Sequence, residues 1–210
     1  MADGLTLERV RITRDGAPLL AVDARVAPGT VTTIMGPSGS GKSTLLAWIM
    51  GDLPPAFRAE GRVALNGRAL GGLPPEARRV GILYQDPLLF PHLDVAANLA
   101  FGLPRGTARA GRRPLVEEAL NAVGLTGFGP RDPATLSGGQ AARVALMRVL
   151  LSRPEALLLD EPFSKLDADR RAQMRALVFG RARAAGVPVL MVTHDPEDAA
   201  EAGGAVIRLG

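Results

Sequence analysis

An α/β fold, with a parallel sheet covered by helices on both faces, is what this sequence predicts, and three observations predict it. Four short apolar runs, "TVTTIM" (30–35), "VGILY" (80–84), "ALLLD" (156–160) and "VPVLMVT" (187–193), read as buried strands. Stretches of helical spacing separate the later ones, as crossovers between parallel strands require. A glycine-rich loop, "GPSGSGKST" (36–44), runs straight from the first strand into an apolar helix.

Taken in order, residues 5 to 35 alternate in short apolar runs broken by "RDG" (14–16) and "PG" (28–29), which reads as strands joined by turns. "TLLAWIM" (44–50) is apolar on nearly every side and predicts a buried helix stopped by Gly51, Pro54 and Pro55. A further strand pair surrounds "NG" at 66–67, and "VGILY" follows as a short strand. Residues 94 to 152 switch to helical spacing with polar loops and predict a helical lobe. A helix over about 167 to 185 connects "ALLLD" to "VPVLMVT". No internal repeat or long linker divides the chain.

The 210 residues suffice for one domain, with or without an inserted lobe, and for a sizeable core. Apolar residues at 47% and charged residues at 22% are globular values, which argues against disorder. No apolar run approaches the roughly 18 residues of a spanning helix, and "MADGLTLERV" lacks the layout of a secretory signal. The absence of cysteine removes disulfides and thiolate metal sites and is compatible with a reducing cytoplasm. The net charge of +4 raises the question of nucleic acid, but 25 bases are interspersed with 21 acids. The densest basic stretch, "PRGTARAGRR" (104–113), has no aromatic residue to stack a base and reads as a solvated loop between two helices. No nucleic-acid partner is expected.

Gly36 to Ser43 satisfies GxxxxGK[ST] between a strand and a helix, the context that this phosphate-binding motif needs. Backbone N–H groups converge on phosphate oxygens only where side chains stay away, which suits Gly36, Gly39 and Gly41; Pro37, Ser38 and Ser40 complete the loop. Lys42 brings a point charge toward the β- and γ-phosphates, the Ser43 hydroxyl is a ligand for Mg²⁺, and Thr44 serves the neighbouring phosphate. Lys42 and Lys165 are the only lysines in an arginine-rich chain, and position 42 asks for a compact ammonium rather than a planar fork.

Asp160 and Glu161 end a buried strand, where an open α/β sheet places its ligands. Asp160 is the candidate Mg²⁺ holder and Glu161 the candidate general base for an attacking water. Adjacent acids at a strand end also serve as helix caps, and only the upstream loop tips the reading toward chemistry. His194 follows "VPVLMVT" at the same edge, and a neutral imidazole there can donate to the γ-phosphate. His92 has no such position. Gln85, after "GILY", is a candidate Mg²⁺ ligand whose loop reports on something outside.

"TLSGGQ" (135–140) supplies a second glycine-flanked helix start. Ser137 is a good N-cap, Gly138 and Gly139 leave the first amides open, Gln140 follows, and Val144, Leu146, Val149 and Leu150 supply the apolar positions. A capped helix without a ligand explains this stretch equally well in isolation. Because one triphosphate already has a cradle, the simpler solution is a helix end that caps a nucleotide held by another copy of the chain.

The ordered set "GPSGSGKST", Gln85 after "GILY", "TLSGGQ", "ALLLDEP", "SKLD" and "VTHD" resembles the ATP-binding cassette (ABC) ATPases over essentially the whole chain, with "LSGGQ" the most specific element. The layout is similar to small bacterial importer subunits of the thiamine and related solute-uptake type. That resemblance implies a P-loop NTPase with a RecA-like parallel sheet core, an N-terminal antiparallel β subdomain and an inserted α-helical subdomain. The core would span 1–85 and 154–210 and the helical subdomain 86–153, within a single domain over 1–210. It implies ATP and Mg²⁺, and a head-to-tail, ATP-dependent homodimer. In that dimer Ser137 to Gln140 of one copy would face the nucleotide on Lys42 of the other, and Asp167 of "SKLD" would lie on the crossing loop. It further implies separate permease subunits that meet "LLFPHLDV" (88–95), a solute-binding protein, and a peripheral place on the cytoplasmic face of the inner membrane.

Three departures from the family pattern stand out. The position of an adenine-stacking aromatic falls near Thr13 and Arg14, with no Trp or Tyr there, which leaves loose base selectivity or Arg14 stacking as alternatives. Lys165 and Ala141 replace the commoner Ala and Arg. The end at "VIRLG" leads to the expectation that the regulatory domain of sugar-type importers is absent. Two other readings stay open: a non-transport ABC ATPase regulating a membrane complex, of the cell-division type, or one acting on nucleic acid. The latter usually carries long coiled coils or cysteine-bound zinc, neither of which is present.

Overall fold

The structure, a computed structural model, describes residues 4–164 and 166–209; Lys165, the N-terminal "MAD" and Gly210 lie outside it. The chain divides into two compact units, one of residues 1–82, 155–161 and 175–210, the other of residues 83–154 and 162–174.

The first unit holds two sheets. Strands β1 (Leu5–Arg14) and β2 (Ala17–Val26) form a hairpin across Asp15–Gly16, and β4 (Phe57–Leu65) and β5 (Arg68–Ala69) form another across Asn66–Gly67. The order β2-β1-β4-β5 is antiparallel in every pairing. The sequence suggests short strands at the start of the chain; two ten-residue strands form instead, and register shifts after Leu7 and before Thr13 let one long hairpin absorb the breaks in alternation.

The second sheet has the order β6-β7-β8-β3-β9, from β3 (Val31–Met35), β6 (Val80–Leu83), β7 (Ala156–Asp160), β8 (Val189–Thr193) and β9 (Ala205–Arg208). β7 pairs with β8, β8 with β3 and β3 with β9, all in parallel. β3 and β8 are buried at every residue, which is why their sequences run apolar without alternation. β8 starts at Val189, two residues into the predicted run, and β6 stops before Tyr84, which is exposed. The core of this unit joins Leu5, Ile12, Val26 and Leu65 of the antiparallel sheet to Ile34, Leu158, Leu190 and Val192 of the parallel one.

Helix α1 (Lys42–Met50) contributes Leu45, Leu46 and Ile49 to the same core. It ends at Gly51, whose φ of 86° belongs to the left-handed C-cap and whose missing side chain leaves room for the Arg78 guanidinium, 2.6 Å from where a Cβ would stand. Arg78, itself buried, donates to the Trp48 and Ile49 carbonyls at 3.1 and 2.7 Å, closing the helix end with a positive charge.

In the second unit, α2 (Val95–Phe101), α3 (Arg109–Ala122) and α4 (Gly138–Leu151) pack on one another through Leu99, Val116, Leu120, Val144 and Leu146. The approach of α2 to α4 is close enough that a Cβ on Gly102 would lie 2.1 Å from the Arg148 carbonyl. One sequence reading is corrected by α3. Arg109 to Arg113 of the basic stretch are not loop but the first turns of α3, since Ala and Arg are good helix formers. In α4 the fully buried block is Val144 to Met147, with Val149 and Leu150 only half-buried. Two further helices, α5 (Ala168–Ala184) and α6 (Pro196–Ala202), follow β7 and β8. Among the described residues no helix is long and apolar enough to cross a membrane.

Candidate nucleotide site

Three neighbouring parallel strands deliver the first unit's candidates to one edge. The register pairs Met35 with Thr193 and Asp160 with Val192, so Gly36, Glu161 and His194 leave the carboxyl ends of β3, β7 and β8 side by side.

The loop from Gly36 is a formed cradle. Gly39 and Gly41 have φ of 83° and 86°, the left-handed conformation that turns successive amides to one side. A Cβ on Gly41 would meet Leu20 Cδ2 at 2.7 Å, so the turn also needs glycine for its packing on β2. Lys42 is buried except for 8% of its surface and donates its Nζ to the Gly36 and Pro37 carbonyls at 2.7 and 2.8 Å. The Ser40 hydroxyl oxygen is buried without a protein partner, an unspent polar group inside the loop. Pro37, Ser38 and Gly39 are exposed, while Thr44 is half-buried in the first turn of α1. Left-handed glycines, an ammonium and a spare hydroxyl fit a phosphate group.

Ser43 donates its hydroxyl to Asp160 Oδ1 at 3.0 Å, joining the helix start to the end of β7. Burial pushes the Asp160 carboxyl above its ordinary value; the Ser43 hydrogen bond and the Lys42 charge oppose this, and the Glu161 charge adds to it. The Ser43 hydroxyl and the Asp160 carboxylate are two adjacent hard oxygen donors, the chemistry that suits Mg²⁺.

Glu161 is held at several points. Its backbone has φ 48°, its N–H donates to the Val192 carbonyl at 3.0 Å, its Oε1 lies 2.8 Å from His194 Nδ1, and its Oε2 accepts from the Thr193 hydroxyl at 3.5 Å. The His194 ring is 69% exposed and the Glu161 side chain 15%, so the acid is the sheltered partner. Facing a carboxylate, the ring carries its proton on Nδ1, which leaves Nε2 an acceptor in the neutral form.

The second unit holds the other candidates. Gln85 is exposed beyond β6. Ser137 caps α4, accepting from the Gln140 N–H at 3.3 Å while Gln140 Oε1 accepts from the Ser137 N–H at 2.9 Å. With the Gln140 amide so used, Gly138 and Gly139 retain the forward amides. Gly138 is exposed; a Cβ on buried Gly139 would touch Leu166 at 3.3 Å. Asp167 accepts from the Arg170 N–H at 3.0 Å and pairs with its guanidinium at 3.1 Å, so it caps α5.

Sequence reasoning passed over three residues. Thr193 sits in an otherwise apolar strand and reaches Glu161. Asn98, fully buried, accepts from the Phe90 N–H and donates to the Phe90, Leu93 and Asp94 carbonyls, thereby holding the loop of residues 90–94. Phe57 lies opposite Arg14 across the strands, with the guanidinium 5.8 Å from its ring centre, so the aromatic missing near Thr13 has a neighbour on β4.

The family model described as "ABC transporter" matches residues 19–164. The chain belongs to the ABC transporter family. Among its ABC relatives, the thiamine import ATP-binding protein of Cereibacter sphaeroides is 50% identical over 196 residues, covering 93% of this chain and 83% of that protein. An uncharacterized ABC transporter ATP-binding protein of Escherichia coli is 49% identical over 180 residues, covering 86% and 83%. A solved ATP-binding cassette, dimeric and in a post-hydrolysis state with ADP and phosphate, superposes with a TM-score of 0.83 at 31% identity, over 98% of this chain and 94% of that one. The fold is therefore that of the ABC ATPases, and the chain is an ATP-binding, ATP-hydrolysing ABC subunit of the kind that serves import systems.

Proposed function

We propose that this chain energises a bacterial solute importer by hydrolysing ATP as one half of a head-to-tail dimer docked on separate permease subunits. The observation that carries the reading is the joint presence, at one sheet edge, of the formed phosphate loop, the Ser43–Asp160 pair and the clamped Glu161. The loop amides and Lys42 bind the triphosphate, with Lys42 exchanging carbonyl partners for phosphate oxygens. Ser43 and Asp160, with Gln85, would hold Mg²⁺, which supplies charge neutralisation on the phosphates when bound. Glu161 takes the proton of a water whose oxygen attacks the γ-phosphorus; the β–γ bridging P–O bond breaks and ADP leaves with the electron pair. His194 releases Glu161 and donates to the γ-phosphate once its proton sits on Nε2. Ser137, Gly138 and Gly139 of the second copy cap the same phosphates.

The helical subdomain carrying this cap also offers the permease surface. Leu88 and Phe101 are 58% and 67% exposed, and Phe101 meets Phe90 edge-on at 4.7 Å between ring centres. Nearby, a cavity of about 950 Å³ has an apolar wall of Ala96, Ala97, Ala100, Val116 and Leu120, with Arg112, Arg113 and Glu117 among its polar lining. An exposed apolar surface of this kind fits an amphipathic segment of a membrane protein. The importer would sit in the cell membrane with this chain on its cytoplasmic face, supplied by a solute-binding protein.

The test is Glu161→Gln. Nucleotide should titrate with unchanged affinity, turnover should fall about 10²- to 10⁴-fold, and light scattering should show a dimer with ATP. Wild-type turnover would reject the general-base role.

A further inference from the structure

Behind Glu161 lies a line of polar side chains that runs through the interior of the first unit. Arg175 on α5 and Asp198 on α6 are 6% and 3% exposed, and Thr193 at the end of β8 is 0% exposed. Arg175 Nε donates to Asp198 Oδ1 at 2.7 Å and its Nη2 closes on the same oxygen, while Nη2 also reaches the exposed Glu197 at 3.2 Å. Asp198 Oδ2 then stands 3.4 Å from the Thr193 hydroxyl, whose other acid neighbour is Glu161 Oε2 at 3.5 Å. The geometry points to Thr193, braced by the buried Asp198–Arg175 pair, as the positioning residue that sets the orientation of the Glu161 carboxylate for hydrolysis. This rests on the reading of Glu161 as the general base.

One proton decides the geometry. A hydroxyl has a single hydrogen to give and two lone pairs to receive with. The Thr193 oxygen already accepts from the Asp195 N–H at 3.1 Å. Its hydrogen therefore goes to Asp198 or to Glu161, never to both, and each contact is long enough that the choice decides which one tightens. Arg175 biases that choice: two N–H groups on Asp198 Oδ1, with a full positive charge beside it, lower the basicity of both Asp198 oxygens and so weaken the claim of Oδ2 on the hydroxyl. Burial alone would lower the basicity of Arg175, but its bonds to Asp198 and Glu197 outweigh that and hold it charged. The hydrogen is left for Glu161.

The consequence concerns the moment when His194 turns to the phosphate. Until then the two oxygens of Glu161 are held from two sides, by the ring and by Thr193. Afterwards the Thr193 hydroxyl still sits on one carboxylate oxygen and restrains its rotation away from the water. A pair that merely tied α5 to α6 would make no use of the hydrogen of a hydroxyl at 193, whose oxygen alone serves the Asp195 N–H. Valine has the same branched shape and avoids burying a polar group at the end of an all-buried strand.

The test compares Thr193→Val with Thr193→Ser in the full chain, each alone and combined with Glu161→Gln. Rates are referred to nucleotide-binding sites counted by titration, so that an unfolded fraction does not pass for a slow enzyme. Thr193→Val should lower kcat about tenfold at unchanged KM for ATP, and Thr193→Ser should stay within about twofold of wild type. In the Glu161→Gln background, single-turnover rates should not respond to Thr193→Val at all, because the hydroxyl acts only through the carboxylate. Thr193→Ala carries the same expectations should the valine variant not fold. Wild-type kcat in Thr193→Val overturns the proposal. So does a Thr193→Ser as slow as Thr193→Val, or a tenfold loss that persists when residue 161 is Gln. Wild-type turnover in Glu161→Gln alone would instead reject the base, whatever position 193 does.

Discussion

Glu161 carries its carboxylate on a backbone with φ 48°, a region that costs a residue with a Cβ about 1 kcal/mol or more. The strain sits where the strand must turn sharply to present the acid, which makes it separable from the loss of the acid itself. Glu161→Ala and Glu161→Gly both remove the carboxylate, yet only glycine relieves the backbone. The glycine variant should be the more stable of the two by about 1 kcal/mol, or roughly 2–4 °C in thermal melting at this chain length. Asp160 gives a second prediction at this scale. Its folded pKa is raised by burial from an ordinary 3.8, so its ionisation works against the fold. That penalty is absent below the unfolded value, grows as pH rises from there through the folded value, and is constant at neutral pH. Asp160→Asn should therefore melt higher than wild type at pH 7 in the absence of ligands, converge with it in acid, and lose the stabilisation that Mg²⁺ with ATP confers on wild type. Of these residues the sequence showed the acids, the lysine and the histidine, because motif spacing carries them. It did not show Thr193, Arg175 or Asp198, since a pair 23 residues apart on two helices reads as ordinary solvated charge until the fold closes over it.

At the scale of elements, α4 has a structural job and a proposed one, which substitutions at Ser137 can separate. The capping box satisfies amides that the first turn would otherwise leave open, so Ser137→Ala should cost about 1 kcal/mol in urea unfolding. Ser137→Arg places a long cation where the second copy's triphosphate would be met. One subunit should still bind ATP, and the Glu161→Gln dimer should no longer form by light scattering; a closed dimer would count against the role in trans. The element pattern itself was readable wherever burial is complete: β3 and β8 announce themselves as unbroken apolar runs, and α1 as a helix with no polar face. Reading failed where tertiary contacts decide. The basic start of α3 looked like loop because Gly106 and Pro104 precede it, and the two long strands of the first hairpin looked like fragments because register shifts interrupt their alternation.

For the molecule as a whole, the arrangement of motifs along the chain was readable in the sequence. The surface proposed for a membrane partner was readable only in part: "LLFPHLDV" was visible, whereas the exposure of Phe101 and the Asn98 bonds that shape its loop were not. Phe101→Asp with Leu88→Asp should abolish recovery of the permease with this chain from detergent-solubilised membranes. ATP titration of the purified variant checks that the nucleotide site survives; recovery at wild-type levels would move the docking surface elsewhere.

Lys42 gives the phosphate loop a keystone of its own. By tying back to Gly36 and Pro37, it braces the arch from within, so that an arriving nucleotide meets a shape already set rather than one it must mould. Truncating this side chain thus removes a scaffold along with a contact. Lys42→Ala should lower the melting temperature even before any nucleotide is added, and its weakened ATP binding measures both losses together.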